Sequence, residues 1–156
     1  MTLLTFEVTG ANLNHKFGIQ LTRITEVLPV VKIQPVPELP ELFSGIINYR
    51  GKIVPVVDLS RLIAGISTPH LMSSRIIILE KNIENHEKGW LGLIAGRVTG
   101  TITCNETDFQ KIETFDAGLN FIEGTMLYQD SSIRNVSVEM LLKFLFKQEL
   151  LDNNTF

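Results

Sequence analysis

Few residue types that carry chemistry are present in this sequence. It has one cysteine, one tryptophan, two tyrosines and three histidines in 156 residues. The single cysteine, Cys104, excludes an internal disulfide and any zinc site built on cysteines. It fits a reducing, cytoplasmic compartment. His15, His70 and His86 all fall in predicted loops or turns, and none has a second ligand at a metal-binding spacing. "GLIAGRVTG" (92–100) is neither a dinucleotide fingerprint nor a phosphate-binding loop. No metal and no cofactor are therefore expected. The carboxylates are spread over turns and helix faces, and an enzyme is not expected.

Positive charge is also sparse. The 14 Lys and Arg are scattered against 17 Asp and Glu, for a net charge of −3. No basic stripe forms, which argues against nucleic-acid binding. Long apolar runs are missing as well. "GWLGLIAGRVTG" (89–100) spaces its glycines like a membrane-helix contact, but Arg97 interrupts it and a span needs about 20 apolar residues. No direct membrane insertion is expected. The opening "MTLLTFEVTG" lacks a basic region and an apolar core, so no signal peptide is expected.

What the sequence does have is apolar, β-branched material, with 44% hydrophobic residues in all. That is enough for a real core. "LLTFEV", "KFGIQL" and "ITEVL" read as short strands. Four of the six prolines lie between Pro29 and Pro40, which predicts an extended connection, with a helical turn at "PELF". "GIINYRGKIVPVV" reads as a hairpin with Arg50-Gly51 at its tip, where Gly51 supplies a positive φ. Pro55 argues that the second arm is an edge strand or irregular. Asp58 is a candidate N-cap for a short helix "LSRLIA", ended by Gly65. "RIIILEK" is a buried strand, and "FIEGTMLYQDSSIRNVS" a second hairpin. "VEMLLKFLFKQELL" is a C-terminal amphipathic helix with Val138, Leu141, Leu142, Leu145 and Phe146 on one face.

The chain also repeats itself. "FGIQLTRIT" (17–25) aligns with "LGLIAGRVT" (91–99), matching Gly18 to Gly92, Arg23 to Arg97 and Thr25 to Thr99. Gly45 then aligns with Gly124 and Tyr49 with Tyr128, and Asp58 falls against Ser137 ahead of each helix. The order strand, polar turn, strand, long connection, hairpin, capped helix occurs twice. His15 and His86 occupy equivalent turns, which turn composition explains without catalysis. Two β units of about 70 residues bury little surface alone, so they should pack on each other. The second copy replaces the Arg-Gly tip with "QDSS". A hairpin of this type is thus expected without the arginine, and Arg50 becomes a candidate contact, with Tyr49 beside it.

Together, "FGIQLTRITEVL", "PELFSGIINYRGKIVPVVDLSRLI", "GLIAGRV" and "FIEGTMLYQDSSIRNVSVEMLL" resemble a CheW-type chemotaxis coupling protein, over about Leu4 to Leu142. The most specific element is the G-x-I-N-x-R-G-x-I-V-P-V-x-D-L signature at Gly45–Leu59. The resemblance implies an all-β fold with short helices: two packed SH3-like five-stranded β-barrels and a C-terminal helix. It implies one domain over 1–151, made of barrels at roughly 15–80 and 81–142 plus an N-terminal strand, with a tail at 152–156. The implied role is a non-enzymatic adaptor between chemoreceptors and a CheA-type histidine kinase. Its partners would be the kinase's regulatory domain and the receptor's cytoplasmic tip, the latter laid into an apolar groove between the barrels. Kinase and coupler would alternate through equivalent barrel contacts in membrane-associated receptor arrays. Ile24, Glu26, Gly45 and Arg50 match family residues implicated in coupling, and Tyr49 and Gly51 flank the arginine. The family often has Leu where Tyr49 stands, an acidic residue where Gly96 stands and Asp where Ser137 stands. A pathway that controls pili or development is an alternative. A small barrel enzyme or ligand-binding protein, with a pocket at the barrel junction, is a remote one.

Overall fold

Period-two and wholly apolar runs become strands, and the capped segments become helices. The computed structural model describes residues 1–8, 15–82, 88–111 and 120–153. Its strands are β1 (Thr2–Glu7), β2 (His15–Gln20), β3 (Ile24–Pro29), β4 (Phe43–Tyr49), β5 (Lys52–Asp58), β6 (Arg75–Asn82), β7 (Lys88–Thr103), β8 (Ile122–Tyr128) and β9 (Ser131–Val136). The helices are α1 (Leu59–Ala64) and α2 (Val138–Asn153). The proline-rich connection is extended, with turns closed by Leu39 N–H to Val36 O and Phe43 N–H to Pro40 O.

Asp58 caps α1 as expected. Its Oδ1 accepts from Ser60 N–H at 3.1 Å, and Gly65, at φ 73, ends the helix. The same buried carboxylate takes the backbone N–H and hydroxyl of Thr68 at 2.7 and 2.6 Å, which pins the following loop. At the equivalent helix, Ser137 Oγ accepts from Met140 N–H at 3.2 Å.

Strand pairing joins the two repeats crosswise. In barrel one the order is β3-β6-β7-β5-β4, with the first half of β7 (88–95) against β6. In barrel two it is β7-β1-β2-β9-β8, with the second half of β7 (96–103) against β1. Each repeat therefore lends its first hairpin to the other's barrel. β1 and β2 come from the first repeat and close barrel two; β6 and early β7 come from the second and close barrel one. The chain crosses between barrels at a short 3-10 turn, Leu21–Arg23, and again within β7, where Arg97 takes φ 39. The pairings thus draw the barrel boundary elsewhere than 15–80 and 81–142: His15–Gln20 lies between β1 and β9 in barrel two. The segment 89–100 is one bent strand.

A single bridge joins the ends of each barrel, Gln34 to Ile46 in the first and Gln110 to Thr125 in the second. The matched glycines sit at these closures. A Cβ on Gly45 would stand 2.8 Å from the Gln34 carbonyl carbon, and one on Gly124 would stand 3.0 Å from Gln110 O. β5 is not an edge strand, since β4 and β7 flank it. Pro55 is tolerated there for a local reason. Ile46 spends both its N–H and its C=O on Gln34, so the Ile46–Pro55 pair needs no donor from proline. The parallel ladder to β7 begins only at Val56.

Three apolar clusters follow from the alternation of side chains along the strands. Ile76, Ile78, Val54, Val56 and Ile47 fill barrel one. Leu3, Met126, Ile133 and Cys104 fill barrel two. The opposite faces, including Ile77, Leu79, Leu4, Phe6, Val57 and Leu93, meet in the largest cluster, between the barrels. β6 is apolar on both faces because both are covered. α2 buries Val138, Leu141, Leu142 and Leu145 into this shared core, and Phe146 packs against it.

Candidate partner-binding site

The tip of the β4–β5 hairpin is a two-residue turn with both residues left-handed, Arg50 at φ 51 and Gly51 at φ 76. Asn48 Oδ1 braces it by accepting from Gly51 N–H at 3.0 Å. Turns of this type favour Asn-Gly, and a left-handed backbone costs a non-glycine residue about 1–2 kcal/mol. The β8–β9 hairpin makes the same turn with Gln129 at φ 46 and Asp130 at φ 63. The turn itself therefore does not call for arginine.

The side chains around the tip form a cluster at the mouth of barrel one. Tyr49 is buried in the barrel, with its ring edge-on to Trp90 at 5.6 Å and 82°. Its hydroxyl donates to Glu26 Oε2. Arg50 Nη2 donates to the same oxygen at 3.3 Å, and its guanidinium carbon lies 5.3 Å from the centre of the Tyr49 ring. Lys52 Nζ stands 5.0 Å above Trp90. The hydrogen bond to Glu26 raises the Tyr49 phenol above its ordinary pKa; burial adds to this and the Arg50 charge opposes it. The Arg50 side chain is 71% exposed and that of Glu26 37%, so their ion pair contributes only about 0–1 kcal/mol.

A β-bulge brings Glu26 to this mouth. Ile24 pairs with Leu79, but Glu26 pairs with Ile78, leaving Thr25 over. Ile24 accordingly packs on the shared core, opposite a residue of that core. Glu26 and Leu28 follow Ile78 and Ile76, which point into barrel one.

Of the residues singled out in the sequence, Glu26, Tyr49, Arg50 and Gly51 come together, and Ile24 lies two residues along β3. Gly45 does not join them. It is buried, and its φ of 149 and the Gln34 carbonyl give it a structural task. Trp90 and Lys52 went unnoticed in the sequence. The lone tryptophan was a usable signal, but nothing local linked it to a tip some 40 residues earlier.

Other candidate chemistry is thin among the described residues. No group of three His, Cys, Asp or Glu is placed to hold a metal. His70 is exposed; His86 and the side chain of His15 lie outside the described residues. Burial raises the Cys104 thiol pKa, which makes it a poor nucleophile at neutral pH. A cleft of about 770 Å³ lies beside barrel two and the start of α2. Four of its polar side chains are paired with one another, Arg23 to Glu139 at 3.3 Å and Asn135 to Glu123 at 3.1 Å.

A model of the CheW-like domain matches residues 2–145. The chain belongs to the CheW-like family. The chemotaxis protein CheW of Thermotoga maritima is 29% identical over 110 residues, covering 69% of each chain. That of Helicobacter pylori is 25% identical over 132 residues, covering 83% of this chain and 76% of its own. The crystal structure of the scaffolding protein TtCheW from Thermoanaerobacter tengcongensis superposes with a TM-score of 0.72 at 30% identity, covering 88% of this chain and 84% of that one. The two-barrel SH3-like architecture is the CheW-like one. This CheW-like chain is a chemotaxis coupling adaptor, a scaffold with no enzymatic role. No helix among the described residues is long and apolar enough to cross a membrane.

Proposed function

We propose that this CheW-like chain couples chemoreceptors to a CheA-type kinase by binding the kinase's regulatory domain and the receptor's cytoplasmic tip, and that the mouth of barrel one is one of its contacts. Arg50 carries the reading. It is largely exposed, on a turn whose geometry does not require it, beside the buried Tyr49 and the half-buried Trp90. Arginine and tyrosine are the residue types that concentrate binding energy at interfaces. The mechanism is positional: modest contacts, repeated through an assembly at the receptor arrays, gain strength through avidity.

Titration calorimetry against the regulatory domain and against a receptor cytoplasmic fragment tests this. Arg50→Ala should keep its circular dichroism spectrum and lose about 1–4 kcal/mol of binding to at least one of them. Unchanged affinity for both removes Arg50 from the contact.

A further inference from the structure

We propose that Tyr49 is a positioning residue that keeps Glu26 satisfied while Arg50 turns to an acidic group on a partner. This rests on the reading of Arg50 as a contact and deepens it. Two donors share one acceptor atom: Glu26 Oε2 takes both the Tyr49 hydroxyl and Arg50 Nη2. They differ in freedom. The Tyr49 ring is fixed in barrel one among Ile47, Val54 and Val56 and against the edge of Trp90. The Arg50 guanidinium holds Glu26 only at 3.3 Å and is mostly in water.

A guanidinium that leaves Glu26 takes a donor from a carboxylate that water reaches only in part, its side chain being 37% exposed, so a second donor that remains lowers the cost of leaving. Here the phenol stays behind. Arg50 can then make a charge-assisted contact elsewhere without abandoning Glu26. The charged groups facing the phenol are Glu26 and Arg50; Lys52 lies over Trp90.

The test uses the full chain with the same two probes, the kinase regulatory domain and the receptor cytoplasmic fragment. Tyr49→Phe keeps the ring and should weaken binding about three- to tenfold wherever Arg50→Ala does. Adding Glu26→Gln should restore the affinity, because a neutral amide leaves no charge to strand. Loss of a merely structural hydroxyl would not be rescued this way. A spectroscopic readout accompanies it. In the near-ultraviolet phenolate titration, Arg50→Ala should move Tyr49 ionisation to higher pH and Glu26→Gln to lower pH. Full-strength binding by Tyr49→Phe, or a loss that Glu26→Gln fails to recover, overturns the proposal while leaving Arg50 as a contact. Unchanged binding by Arg50→Ala overturns the contact reading itself, and this inference with it.

Discussion

Tyr49 shows how much one side chain can carry. It packs in barrel one, meets Trp90 edge-on and bonds Glu26. Its raised pKa has a consequence for stability, whose sign follows from linkage. The folded phenol keeps its proton at a pH where the unfolded phenol, with a pKa of about 10, has lost it. The contribution is complete below the unfolded pKa and is lost as pH rises from there through the higher folded one. Denaturant midpoints of the unsubstituted chain should therefore fall more steeply above about pH 10 than those of Tyr49→Phe. Parallel curves would mean that the bond to Glu26 is absent in solution. The tip itself was legible in the sequence, since a two-residue turn between apolar arms has few alternatives. Its partners were not. Glu26 and Trp90 lie 23 and 41 positions away, and periodicity says which face a side chain occupies but not which strand lies beside it.

Hairpins, caps and closures belong to the next scale. The Asp58 cap, the Gly65 stop and the buried stripe of α2 all followed from local chemistry and stand where expected. Glycines were harder, because the letter does not say why it is needed. Gly51 and Gly45 belong to the same hairpin and differ in kind. Around Gly51 there is open space, so Gly51→Ala meets only the left-handed backbone penalty of about 1–2 kcal/mol. Gly45→Ala forces a Cβ into the Gln34 backbone that closes barrel one. It should cost more than about 4 kcal/mol, the range of severe backbone and packing defects. Thermal unfolding of the two variants separates the cases. Equal, small losses would mean that the Gln34–Ile46 bridge does not close the barrel.

At the scale of the whole molecule, the duplication was legible but its assembly was not. The sequence invites each repeat to fold on itself, whereas β2 pairs with β9 and β5 with β7. The hydrophobic pattern is the same for either arrangement, because β1 and β6 each bury apolar side chains on both faces. The crossed assembly predicts complementation. A chain cut in the loop between α1 and β6, as fragments 1–70 and 71–156, should give two unfolded pieces that regain the native circular dichroism spectrum only when mixed. A fragment that folds alone would contradict the exchange of hairpins. Amide hydrogen exchange carries the same exchange into the time domain. Opening barrel one pulls β6 and early β7 from β3 and β5 of the other repeat, and those same residues line the shared core against β1. The slowest amides of β1, β6 and both halves of β7 should then report one common opening free energy, that of a single cooperative unit. Signals reaching a partner at one barrel would thus meet a body that yields as a whole or not at all.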